Sequence, residues 1–144
     1  MATTMVDSLD TLWIMGLKVR TLFGGKKHSR RRKQPQDEFF RARDWIRDNL
    51  DFNRVAGSVS VFETTIRSLG GLLSAYDLSG DQVFLTKATQ LGEKLFPAFG
   101  TGSGMPVNTI NFQRPSVGGG GQVILAEVGT LQLEFRALSE FLFF

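Results

Sequence analysis

Helical spacing of the apolar residues constrains this chain more than any other feature. Between residues 61 and 78, Phe62, Ile66, Leu69, Leu73 and Tyr76 recur at intervals of three and four, the period of a helix with one buried face. Ser79 and Gly80 end that run, and Asp81 is placed to N-cap another helix that carries Leu85, Ala88, Leu91 and Leu95 and stops at Pro97. Two such helices joined by so short a turn make an αα-hairpin.

The same period appears on either side. Residues 6–17 align Leu9, Trp13 and Leu17, residues 37–50 align Phe39, Ala42, Ile46 and Leu50, and a run from Ala126 aligns Val128, Leu131, Phe135 and Leu138. Residues 97–123, rich in glycine with three prolines, read as a long loop with one short hairpin at residues 107–112. The expectation is an all-α architecture of about five helices with a long glycine-rich loop. A stack of tetratricopeptide-like repeats would also supply helix pairs, but no period of about 34 residues is present, and a glycine-rich interruption of this length suits such a stack poorly. A toroid of helix pairs with long loops on one rim accommodates both features, and rim loops are where a pocket is lined.

At 144 residues with 42% hydrophobic content, the chain has the length and composition to bury a core. It has no cysteine, so disulfide scaffolds and thiolate metal sites are excluded. No stretch reaches the ~20 apolar residues that span a bilayer, and the first residues lack the basic start of a signal peptide. The net charge of +3 is local: eight of the seventeen basic residues lie between Lys18 and Lys33, a stretch without an acid. Outside it, acidic residues are in excess. Such a block is a solvated, disordered insertion or a nucleic-acid patch. Disorder is favoured because like charges repel and no aromatic side chain interleaves the cations from Gly24 to Gln36. His28, the single histidine, falls inside it, and no His, Asp or Glu cluster has metal-ligand spacing. The run Gly118–Gly121 lacks the Gly-Lys-Ser/Thr ending of a phosphate loop.

One constellation carries chemistry. Glu63 and Arg67 stand four apart at the start of the third helix, with Glu63 beside the apolar stripe. The pair is either an ordinary i,i+4 ion pair, worth about 0.2–0.5 kcal/mol, or the wall of an active site. Glu127 at the start of the last helix reads, from its position alone, as an acid placed for the helix dipole. Asp7 and Asp10 are read as caps or structural hydrogen bonds.

Residues 59–76, with Phe-Glu-Thr-Thr-Ile-Arg at 62–67, resemble the signature segment of the class I α-1,2-mannosidases, glycoside hydrolase family 47. Three further stretches agree in order: residues 6–17, residues 42–46, and Ala-Glu-Val-Gly-Thr-Leu-Gln-Leu-Glu-Phe-Arg at 126–136. The resemblance implies residues 1–144 as a partial catalytic domain, part of an (αα)7 barrel. Residues 19–35 have no counterpart in the family, which implies an insertion; its ends are compatible with splice boundaries, as a translated intron would be. By the same resemblance the activity is that of an inverting mannosyl-oligosaccharide 1,2-α-mannosidase, trimming α-1,2-linked mannose from asparagine-linked glycans in the lumen of the endoplasmic reticulum or Golgi.

The resemblance further implies that Glu63 is the catalytic general acid and that Arg67 and Glu127 bind substrate. It also implies a calcium ion whose protein ligand lies outside this sequence. The aromatic end, residues 141–144, departs from the family and suggests truncation or a changed reading frame. Two other functions stay open: a non-catalytic mannosidase-like lectin in glycoprotein degradation, and a basic nucleic-acid-binding module.

Overall fold

The computed structural model describes residues 2–16, 38–115 and 123–143. The basic run and the Gly118–Gly121 stretch lie outside the described residues. Helices dominate: α1 (Thr3–Asp7), α2 (Leu9–Ile14), α3 (Glu38–Asn49), α4 (Val61–Glu63), a π-helical segment (Thr64–Leu69), α5 (Gly70–Ser79), α6 (Gln82–Leu95) and α7 (Leu125–Phe143). Short 3₁₀ turns at Phe52–Arg54 and Phe96–Phe99 and two strands, β1 (Ser58–Ser60) and β2 (Thr109–Asn111), complete the described elements.

The first expected helix is broken in two. The Ser8 hydroxyl donates to the carbonyls of Thr4 (2.8 Å) and Met5 (3.1 Å), a back-bond that competes with helix continuation, and Ser8 adopts φ −101°, ψ 1°. Leu9 is buried and Trp13 half-buried, while Leu17 lies outside the described residues. In α3 the expected face is the buried one, with Phe39, Ala42, Ile46 and Leu50 all in the core.

The αα-hairpin forms as its turn chemistry dictates. Gly80 closes α5 in the left-handed region at φ 68°, and the Asp81 carboxylate accepts the Val83 amide at 3.1 Å to cap α6. Leu85, Ala88, Leu91 and Leu95 are all buried. Aromatic edges bind the layers: Trp13 meets Phe39 at 5.0 Å between ring centres, and Phe39 meets Phe84 at 5.6 Å, joining α2, α3 and α6. Lys87 reaches across to donate to the Leu50 carbonyl at 2.6 Å, so the end of α3 is satisfied by α6.

Two further expectations need correction. The third helix is not uniform: residues Thr64–Leu69 form a π segment, whose longer turns shift the phase of the buried face. Leu69 and Leu73 are buried as expected, but Phe62, Ile66 and Tyr76 are only half-buried, and Val61, Thr64, Thr65, Ser68, Leu72 and Ala75 complete the buried wall. The expected hairpin at residues 107–112 does not fold on itself. Instead β2 pairs antiparallel with β1, setting Val59 opposite Ile110, and the Val61 amide donates to the Asn108 carbonyl at 2.9 Å. The aromatic end is partly used: Phe141 packs edge-on against Tyr76 at 5.1 Å.

Candidate active site

The β1–β2 ribbon delivers the chain into α4, and the helix begins with a cap. Ser60 Oγ accepts the Glu63 amide at 3.2 Å, which fixes Glu63 in the first turn, its side chain half in solvent. One turn on, Arg67 Nε donates to Glu63 Oε2, and Arg67 Nη1 lies 3.5 Å from Asp7 Oδ2. The Glu63 carboxylate first, and Asp7 after it, hold the Arg67 guanidinium above its ordinary pKa. The result is a cation between two anions on an open face: Glu63 from α4, Arg67 from the π segment and Asp7 from the end of α1.

A close approach brings α1 there. A Cβ on Gly71 would lie 2.7 Å from the Val6 carbonyl oxygen, so only glycine lets α1 settle on α5 at this distance. Beneath the charged face the π segment buries Thr64, Thr65 and Ser68, and the Thr65 hydroxyl donates to the Val61 carbonyl at 2.8 Å.

Glu127 occupies the first turn of α7, half-buried, and lines a shallow cleft with Val61, Phe62, Asn108 and Val128. The two glutamates therefore stand at the starts of α4 and α7, helices in contact, and Phe62, next to Glu63 in sequence, lines the cleft of Glu127. Among the described residues the ion pairs of Arg67 are with Glu63 and Asp7, and Glu127 takes no part in them.

Of the residues the sequence singled out, Glu63 and Arg67 are joined directly, and Glu127 lines a separate cleft beside α4. Asp7, read from the sequence as a cap or structural bond, pairs across elements with Arg67. Asp10 turns locally, accepting the Thr11 amide at 2.5 Å. Glu134 went unnoticed: its Oε2 is buried without a hydrogen-bond partner, and its Cγ comes to 3.6 Å from where a Gly70 Cβ would be, against the π segment. The signal available was its place within the Leu-Glu-Phe of residues 133–135. Among the described residues, no group of three or more His, Asp or Glu could hold a metal ion.

The profile of glycosyl hydrolase family 47 matches residues 1–142. The chain belongs to that family. Mannosyl-oligosaccharide 1,2-alpha-mannosidase MNS1 of Arabidopsis thaliana is 47% identical over 97% of this chain, and isoform IB of Homo sapiens is 47% identical over 96%. The solved alpha-1,2-mannosidase from Trichoderma reesei superposes with a TM-score of 0.77 at 31% identity, over 96% of this chain and 28% of that one. These family 47 relatives are much longer: the chain spans about a fifth of the curated ones, 22% and 20% of their lengths. The all-α architecture is accordingly part of the (αα)7 barrel expected from the sequence, and the relatives' names give no support to a lectin.

Proposed function

We propose that this chain forms one wall of an inverting mannosyl-oligosaccharide 1,2-α-mannosidase, a hydrolase that removes α-1,2-linked mannose from asparagine-linked glycans. The observation that carries the reading is the Glu63–Arg67–Asp7 constellation, open to solvent on a chain 47% identical to proteins named for that activity.

Glycoside hydrolysis needs one carboxyl group to protonate the departing oxygen and another to activate water on the opposite face of the sugar, the two standing roughly 6.5–9.5 Å apart in inverting enzymes. Glu63 serves as the acid. Its backbone is fixed by Ser60, its carboxyl group is half exposed, and its Oε2 is oriented by Arg67. Arg67 also offers guanidinium donors to sugar hydroxyls, and Glu127, in the cleft it lines with Phe62, accepts from them. The base belongs to residues outside this sequence, as does the ligand of the calcium that the reading keeps for the whole enzyme. The lumen of the endoplasmic reticulum or Golgi is part of the reading, and a Mus musculus relative named an endoplasmic reticulum enzyme supports it.

The test places this chain in the matched segment of the Arabidopsis relative and follows mannose release from an oligomannose substrate. Glu63→Gln is expected to lower kcat by on the order of 10²–10⁴ while substrate still binds. Wild-type turnover by that variant removes the catalytic role. The 144-residue chain alone is expected to release no mannose, since in this reading the base lies outside it.

A further inference from the structure

An acid at Glu63 has a charge problem. It must carry its proton when substrate arrives, yet in the structure its Oε2 accepts from Arg67, and the two charges no longer pair once that carboxyl group is protonated. Protonation would release Arg67, and a cation left unpaired at the moment of catalysis adds its cost to the step. The structure holds a second carboxylate at the same guanidinium. Arg67 Nε is engaged by Glu63, while Nη1 is 3.5 Å from Asp7 Oδ2, near enough to tighten into a direct bond.

Asp7 has no use within its own helix. It is the last residue of α1, the end where helix dipoles disfavour an anion, and it caps nothing there. It arrives at Arg67 because α1 rests on Gly71 with the Val6 carbonyl at 2.7 Å from a would-be Cβ, which leaves the approach little slack.

We infer that Asp7 is a positioning residue for this hydrolysis: it is the alternate partner that keeps Arg67 ion-paired while Glu63 holds the proton. The inference rests on the reading of Glu63 as acid. Glu63 takes up from solvent the proton that the base returns there after each turnover, and Arg67 moves onto Asp7. Glu63 then gives the proton to the departing glycosidic oxygen, and the regenerated carboxylate takes Arg67 back. Asp7 exchanges an ion pair and no proton. The elements packed around the site also carry Asp10 on α2, Asp77 on α5, Lys87, Glu93 and Lys94 on α6, and Glu127, Glu134, Arg136 and Glu140 on α7; the ion pairs of Arg67 among the described residues are with Glu63 and Asp7 alone.

Two measurements test it. In the 144-residue chain, NMR exchange of the Arg67 guanidinium protons compares Glu63→Gln with the double variant Glu63→Gln/Asp7→Asn. Protection is expected to survive in the first, held by Asp7, and to fall several-fold in the second. Equal exchange in the two means that Asp7 is no alternate partner, and the inference is overturned.

In the grafted enzyme, Asp7→Asn removes the anion that takes Arg67 while Glu63 holds its proton. The loss in kcat/KM should therefore be concentrated on the alkaline limb of the pH profile, with the acidic side unchanged. Asp7→Glu, which keeps the charge, should restore the limb. A loss of the same factor at every pH assigns Asp7 to packing alone and overturns the inference. Failure of the acid reading shows itself separately, as turnover by Glu63→Gln.

Discussion

Two glycines show how differently one added methyl can act. At Gly71 the obstacle is backbone, the Val6 carbonyl at 2.7 Å, so Gly71→Ala must push α1 away and carry Asp7 with it. At Gly92 the obstacle is Leu138 Cδ2 at 2.6 Å, the far end of a side chain that can turn. Urea unfolding should show Gly71→Ala costing about 1–3 kcal/mol, as overpacking does. Gly92→Ala should stay within about 1 kcal/mol of wild type, because the helix propensity gained offsets the adjustment. Glu127→Gln, in the grafted enzyme, should raise KM and lower kcat together, since an acceptor for sugar hydroxyls acts in ground state and transition state alike; a change in neither would remove it from the binding rim. Glu63 and Arg67 were legible as a pair because four residues along a helix is a local relation. The partnership of Asp7 spans sixty residues of sequence, and no periodicity encodes which helix lands beside it.

Elements were legible where their ends carry their own chemistry. Gly80 and Asp81 fix the hairpin turn, and α3 and α6 bury the faces their spacing announces. The π segment was hidden because its phase depends on what packs around Thr64, Thr65 and Ser68, residues whose polarity argues for the surface when read alone. The strand pairing was hidden for a related reason: each strand is only three residues long and its partner is remote. The turn leading from α3 toward β1 also predicts a pH effect. The Asn53 amide, donating at 2.9 Å, holds the Asp51 carboxyl below its ordinary value. That contribution is therefore present above the ordinary carboxylate range and is lost as pH falls through the lowered value. Unfolding midpoints of wild type and Asp51→Ala should differ at neutral pH and converge on acidification; a constant difference would point to packing instead.

At the scale of the molecule, α7 behaves unlike the others. Of its nineteen residues only Leu131 and Leu138 are buried, while Leu125 and Leu133 are 81% and 70% exposed. Its side facing the Phe96–Phe99 turn forms an apolar groove with Met105, Pro106 and Phe135, and Phe96 itself is 72% exposed. Surfaces of this kind associate when nothing covers them. Sedimentation should show concentration-dependent self-association of the chain, reduced by Phe96→Ser with Leu133→Glu while the helical circular dichroism persists; a strictly monomeric wild type would contradict it.

The β1–β2 ribbon has a further consequence. By tying residues 58–60 to 109–111 it draws a knot at the neck of everything between, so the π segment, the hairpin and the loop after it form a parcel closed at its mouth. A protease that nicks the exposed stretch at 102–104 would sever the chain without opening the parcel, because the severed ends remain fastened on both sides by the ribbon and by the helices within it.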